Sequence, residues 1–189
     1  MPSPRLYNRK EIRLKGYDYS SPGEYFVTIC TKRREHLFGK ILVDGMALNS
    51  IGKTAVDCWN ELPAHYPNAE LNEFVVMPDH IHGIIRITDN PVDKPVGVRH
   101  ASPEQKRRKR PNKLGDIVGS FKSAVTNRVN KIRNSPGVTI WQRGYFEHVI
   151  RDDRSLHKIR DYIATNPQRW FMDAENANRP EGDEPFRHS

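Results

Sequence analysis

Apolar positions along the chain fall into stretches whose periods differ. "EYFVTICTK" (24–32) is rich in β-branched and aromatic residues on both alternating faces, the pattern of a central strand covered on two sides. "NSIGKTAVDCWNEL" (49–62) sets Ile51, Ala55, Cys58, Trp59 and Leu62 at helical spacing, with Asn49 or Ser50 as the cap. "LNEFVVM" and "HIHGIIRI" are short strands separated only by Pro78 and Asp79, a spacing that makes an antiparallel hairpin. "LGDIVGSFKSAVTNRVNKI" (114–132) restores the 3.6-residue period through Leu114, Ile117, Phe121, Val125, Val129 and Ile132. "TIWQRGYFEHVIR" (139–151) reads as a fourth strand. "DDRSLHKIRDYIATNP" (152–167) reads as a final helix with Leu156, Ile159 and Ile163 inward.

The order strand, helix, strand, strand, helix, strand is the split βαβ, ferredoxin-like pattern. It predicts an α+β fold in which an antiparallel sheet carries both long helices on one face. The helix after the fourth strand is then free to lie on the other face. The expected organisation is a single domain over 1–170, interrupted by a basic loop at 88–113. A polar tail at 171–189, too poor in apolar residues to pack, follows it. A chain of 189 residues is long enough to bury one proper core.

Charge narrows the class of partner. Lys and Arg number 31 against 23 Asp and Glu, a net +8, which favours a polyanion, nucleic acid before an anionic membrane. No stretch approaches the ~20 apolar residues of a membrane-spanning helix, and the N-terminal residues lack the apolar run of a signal peptide. Cys30 and Cys58 lie inside apolar patterns without zinc or redox spacing, so they read as buried thiols in a reducing compartment. The expected location is the cytoplasm.

The chemistry gathers in two places. Alternate residues of a strand share a face roughly 6.5–7 Å apart, so His80 and His82 point the same way. Two imidazoles so placed either sit as ordinary polar residues on a solvated face or converge on one ion. Tyr162 and Asn166 are four apart on the last helix and stack on one of its faces. Each also has a plain explanation: Tyr162 as a core-edge aromatic beside Ile159 and Ile163, Asn166 before Pro167 as a C-terminal cap. Taken together, two imidazoles and an amide oxygen form a mixed nitrogen and oxygen set without thiolate. Such a set suits Mg²⁺ or Mn²⁺. A phenol with its ordinary pKa near 10 is a poor nucleophile unless a base or a metal helps it.

These residues resemble a known family. "MPDHIHGII" resembles the His-apolar-His metal motif of single-tyrosine transposases, and "IRDYIATNPQRW" looks like the nucleophile helix of their REP-associated branch. "GYDYSSPGEYFVTICTKRR" and "IWQRGYFEHVIR" are similar to that branch's first and last strands, so the likeness runs from about Arg5 to Trp170. The resemblance implies that His80 and His82 are metal ligands and that Tyr162 is the attacking nucleophile. Asn166 stands at the third ligand position, where the insertion-sequence branch typically carries Gln. His148, in the matched "GYFEHVIR" segment, is at most a neighbour of the ligands; a strand histidine bonded nearby is an equal reading. The implied activity is metal-dependent cleavage and rejoining of single-stranded DNA beside palindromic hairpin repeats, through a 5′-phosphotyrosine. REP-associated relatives act as monomers, whereas insertion-sequence relatives exchange tyrosine helices in homodimers. DNA as partner would place the protein at the nucleoid.

The basic residues fit that substrate. Lys106, Arg107, Arg108, Lys109, Arg110 and Lys113 in the long loop, Lys122 and Arg128 on the second long helix, and Arg143 are candidates to neutralise phosphates, with Tyr145 to stack an unpaired base. A solvated, mobile loop explains the basic run equally well. From a different class comes a protein that holds palindromic repeats without cutting them. A metal-independent phosphoesterase with two histidine motifs needs paired His-x-Ser/Thr elements, which the chain lacks. An RNA-binding sheet would offer paired aromatics where this one offers imidazoles.

Overall fold

The computed structural model describes residues 16–43, 45–89 and 113–172. The basic run Lys106 to Arg110 and the tail beyond 172 lie outside them. The elements are β1 (Gly23–Cys30), β2 (Gly39–Leu42), β3 (Gly45–Leu48), α1 (Ser50–Asn60), the short α2 (Leu62–His65), β4 (Ala69–Val76), β5 (His80–Ile87), α3 (Leu114–Ile132), β6 (Phe146–Ile150) and α4 (Asp153–Met172). Four strands form one antiparallel sheet in the order β4-β5-β1-β6, and β2-β3 form a separate hairpin. That strand order is the ferredoxin-like arrangement expected from the sequence.

Alternation along the central strands sorts side chains between two cores. Tyr25, Val27 and Ile29 of β1 and Ile81, Ile85 and Ile87 of β5 face α1 and α3 and pack with Trp59, Phe121 and Val125. Phe26 of β1, Ile84 of β5 and Ile150 of β6 face the other way, against Leu156, Ile159 and Ile163 of α4. Because helices cover both faces, β5 is buried along its whole length except at Arg86. The near-continuous apolar run in its sequence is the mark of that double coverage.

Asn49 caps α1 by accepting from Gly52 N at 2.9 Å. The β4-β5 connection is the tight Pro78-Asp79 turn, and its carbonyls are taken by the neighbouring chain. Phe38 N reaches Pro78 O at 3.1 Å, and Thr31 N reaches Asp79 O at 2.8 Å.

Three sequence expectations change. The β2-β3 hairpin was not foreseen, although Asp44-Gly45 is a hairpin-turn dipeptide and Gly45 has a positive φ of 115°. The last strand is confined to Phe146–Ile150, because residues 139–145 leave the ladder after a single bridge from Thr31 to Trp141. The last helix continues through Pro167 to Met172, so Asn166 is an interior helical residue and not a C-terminal cap. An interior proline forfeits one helical hydrogen bond. Contacts of Trp170 with His80 and His36, at ring separations of 5.7 and 6.0 Å, hold the extra turn down. No helix among the described residues is long and apolar enough to cross a membrane.

Gly83 lets the β5 backbone and α1 approach closely: a Cβ there would lie 2.5 Å from the Trp59 ring. That ring is itself stacked on Phe74 at 4.5 Å and has no room to retreat. Gly83→Ala should therefore lose about 1–3 kcal/mol of stability by overpacking. Urea denaturation reads this directly; an unchanged midpoint would show that Trp59 repacks freely.

Candidate active site

The two imidazoles lie where β5 begins, beside the end of β1 and beneath α4. Cys30 and Thr28 of β1 stand opposite His80 and His82 in the ladder. Both histidines are buried, at 5 % and 1 % exposure, which excludes a solvated face. Each is held at Nδ1 by an oxygen. Asp79 Oδ1 is 2.5 Å from His80 Nδ1, and Thr28 Oγ1 is 2.8 Å from His82 Nδ1. A carboxylate only accepts, so His80 carries its proton on Nδ1 and turns a lone pair outward at Nε2. The Thr28 hydroxyl can accept from His82 in the same sense. The two Nε2 atoms face one another at 3.0 Å.

Electrostatics keep both rings neutral. Burial pushes the His80 imidazole down against the opposing pull of the Asp79 carboxylate. Burial pushes His82 well below the usual histidine range, helped by His80 and the Arg34 guanidinium. Neutral imidazole is the form that ligates a metal. Asp79 is in turn bound by Arg34, whose Nε lies 2.9 Å from Oδ2, while Arg34 Nη1 donates to Cys30 Sγ at 2.8 Å.

α4 closes the site from above. Tyr162 turns its hydroxyl inward, 3.3 Å from His82 Nε2. Its ring meets Phe26 edge-on at 6.2 Å, and Phe26 stacks on His82 at 5.3 Å. The Arg169 guanidinium lies 5.9 Å from the centre of the phenol ring. Asn166 is buried at 7 % exposure. It stands one helical turn from Tyr162, which touches His82, and one from Trp170, which touches His80. The amide is thus on the helix face that covers both imidazoles.

Among the described residues no group of three or more His, Cys, Asp or Glu gathers to hold a metal ion. What does gather is the two imidazoles, beneath the helix that carries Asn166. Two ligands at right angles on an octahedral ion, each at about 2.1 Å, lie about 3.0 Å apart. The separation of the two Nε2 atoms fits that requirement. The His80 and His82 pair is therefore compatible with Mg²⁺ or Mn²⁺.

The other candidates are dispersed. His148 lies on the same sheet face as His82 but opposite Phe26, one ladder position away, with its imidazole pushed down by burial and by Arg151. Arg128 is on the opposite side of the sheet, paired with Glu61 through contacts of 3.0 and 2.6 Å. Lys113 is exposed at the start of α3, and its backbone N–H donates to Asp116 at 3.1 Å. Tyr145 packs against the α1-α3 core, which limits it as a base-stacking platform. Lys122 is not a free surface cation. Its Nζ donates to the carbonyls of Gln142 and Gly144 at 2.8 Å each, and burial lowers its pKa. Arg143, between those carbonyls, is exposed.

Sequence reading missed Thr28, Arg34 and Trp170 as neighbours of the histidines and Arg169 as a neighbour of Tyr162. Asp79 was legible, since it directly precedes His80. The cross-strand partnership of Thr28 was not, because register is absent from one sequence.

No protein-family model matches the chain. An uncharacterised Haemophilus influenzae protein is 42 % identical over 171 residues, covering 89 % of this chain and 93 % of its own. A second H. influenzae protein, provisionally named a REP-associated tyrosine transposase, is 28 % identical over 150 residues, covering 79 % of this chain and 73 % of its own. A solved REP-associated tyrosine transposase bound to a REP hairpin shares the fold, with a TM-score of 0.56 at 20 % identity over 84 % of this chain and 73 % of that one. This chain brings histidines on a ferredoxin-like sheet under a helix that presents a tyrosine, and it is similar in sequence and fold to REP-associated tyrosine transposases.

The Lys122 clamp yields a structural prediction. Lys122→Met should destabilise the protein by about 1–3 kcal/mol, since two carbonyls lose a charged donor. It should also speed amide exchange across residues 142–144. Exchange as slow as in the wild type would show that Lys122 does not organise this loop.

Proposed function

We propose that the protein cleaves single-stranded DNA beside a palindromic hairpin and rejoins it, through a covalent 5′-phosphotyrosine at Tyr162. The observation that carries this reading is the 3.3 Å approach of the Tyr162 hydroxyl to the nitrogen of His82 that also faces His80. The hydroxyl meets two imidazoles beneath a helix that also carries Asn166, and this supports the reading.

In the proposed step the Tyr162 oxygen forms a bond to the scissile phosphorus. The bond to the 3′ oxygen breaks, and the phenolic proton is lost as the departing oxygen gains one to become a 3′-hydroxyl. The phosphodiester energy is retained in the tyrosyl ester, so the 3′-hydroxyl of another strand reverses the step without ATP. His80, His82 and Asn166 would hold Mg²⁺ or Mn²⁺, which when bound supplies charge neutralisation at the phosphate and assistance to the phenol. Asp79 and Thr28 fix the ring orientations, and Phe26 with Ile159 and Ile163 keeps water from the helix side of the tyrosine. Arg169 places a cation over the phenol ring.

The tyrosine and the candidate ligands all come from one chain, so a monomer contains the whole set. DNA processing would place the protein in the cytoplasm with the nucleoid.

Tyr162→Phe should abolish the covalent protein–DNA adduct, a loss on the order of a thousandfold or more, because no other group takes over the attack. Hairpin binding should stay close to wild type. The adduct is read by denaturing electrophoresis with labelled hairpin DNA in Mg²⁺ or Mn²⁺. A wild-type protein that binds hairpins but forms no adduct on any of them would instead be a module that holds palindromic repeats without cutting.

A further inference from the structure

A second polar feature lies around the end of β1 from the histidines. Residues 32–33 and 139–143 form the walls of an open groove of about 790 Å³, with Ser123 and Asn127 of α3 along it. Lys32, Arg33 and Arg143 are its exposed cations, and among the described residues no acidic side chain lines it. The walls are joined by backbone bonds, Lys32 N to Ile140 O at 2.8 Å and Gln142 N to Cys30 O at 2.9 Å. The Lys122 ammonium sets the arginine wall, since it holds the carbonyls on either side of Arg143.

The facing wall is built at the expense of backbone comfort. Arg33 and Arg34 both adopt a φ of 57°, a left-handed conformation that bulky L-residues rarely take. The turn is locked by Thr31 Oγ1 donating to Glu35 O at 2.8 Å. Its effect is to send consecutive side chains in two directions, Arg33 to the groove and Arg34 to Asp79, which holds His80. Strain of this kind persists where the surroundings over-determine it, and it concentrates at functional positions.

We propose that this groove binds the sugar-phosphate backbone of a single DNA strand, with Lys32, Arg33 and Arg143 neutralising successive phosphates. The inference rests on the DNA-processing reading above and deepens it by naming where a strand leaving the tyrosine site runs. Ser123, Asn127 and Gln142 add neutral hydrogen-bonding groups along the same path. The groove is open along its length, as a site that tracks a strand's backbone needs to be.

The test uses the full chain carrying Lys32→Ala, Arg33→Gly and Arg143→Ala together. Glycine accepts the left-handed backbone at Arg33, so this change removes the charge while easing the turn. Fluorescence anisotropy is measured with a poly-dT oligonucleotide and with a blunt hairpin, across a salt series. Three lost phosphate contacts should lower the dependence of log affinity on log salt by about 2 for poly-dT, with about a tenfold or greater loss of affinity, and leave blunt-hairpin binding unchanged. Arg33→Gly alone should melt no lower than wild type while it weakens poly-dT binding.

An unchanged salt slope for poly-dT, or an equal loss on the blunt hairpin, overturns the groove assignment. So does an equal loss in a control with Lys40, Lys53 and Arg86 changed to alanine. If adduct formation at Tyr162 persists in any of those cases, the cleavage reading stands and only the groove falls. A wild-type chain that binds neither DNA overturns both.

Discussion

Two neutral imidazoles buried on one face of a sheet need their N–H groups paired and a covering element that keeps water out. The rest of the site follows from that constraint. Asp79 and Thr28 take the Nδ1 atoms, so the Nε2 atoms must turn toward each other beneath α4. Desolvation that would be a liability in an ordinary core is what keeps both rings unprotonated. The structure therefore places ligand-competent nitrogens in the layer roofed by α4.

The roof also carries the proposed nucleophile. α4 buries Ile159 and Ile163 against Phe26 and Ile84, and this packing sets the rotation of the helix. Once that rotation is set, Tyr162, Asn166 and Trp170, spaced by four, come down over the histidines. Packing on one stripe and chemistry on the adjacent one are thus the same decision. Pro167 leaves a weak place in the helix ladder between Tyr162 and Trp170, and the Trp170 contact with His80 bridges it. On the opposite sheet face α1 and α3 form the larger core, and its close packing at Gly83 supports the strand that carries both histidines.

Most of the scaffold was legible in the sequence because each main element has a clean period. The double coverage of β1 showed in "EYFVTICTK", the cap of α1 in Asn49, and the hairpin in Pro78-Asp79. Elements set by tertiary contact were harder to read. The β2-β3 hairpin is too short to show alternation, the early exit of residues 139–145 depends on the Lys122 clamp, and α4 outlasts Pro167 because Trp170 finds the histidines. The pair His80 and His82 and the pair Tyr162 and Asn166 were visible as spacings within their own elements. Their approach across about 80 residues of chain was implied only by family resemblance, since no local pattern encodes it. Surface cations were the least readable: Lys122 and Arg128 look alike in sequence, yet one clamps a loop and the other pairs with Glu61.

The central claim is that these side chains meet around one divalent ion with the phenol beside it. Anomalous diffraction from a Mn²⁺-soaked crystal of the full chain tests it most directly. The account predicts a single strong peak within bonding reach of His80 Nε2, His82 Nε2 and the Asn166 amide oxygen, with the Tyr162 hydroxyl adjacent. A peak elsewhere, or none at the histidines, or a Tyr162 side chain turned away from the ion, would contradict it.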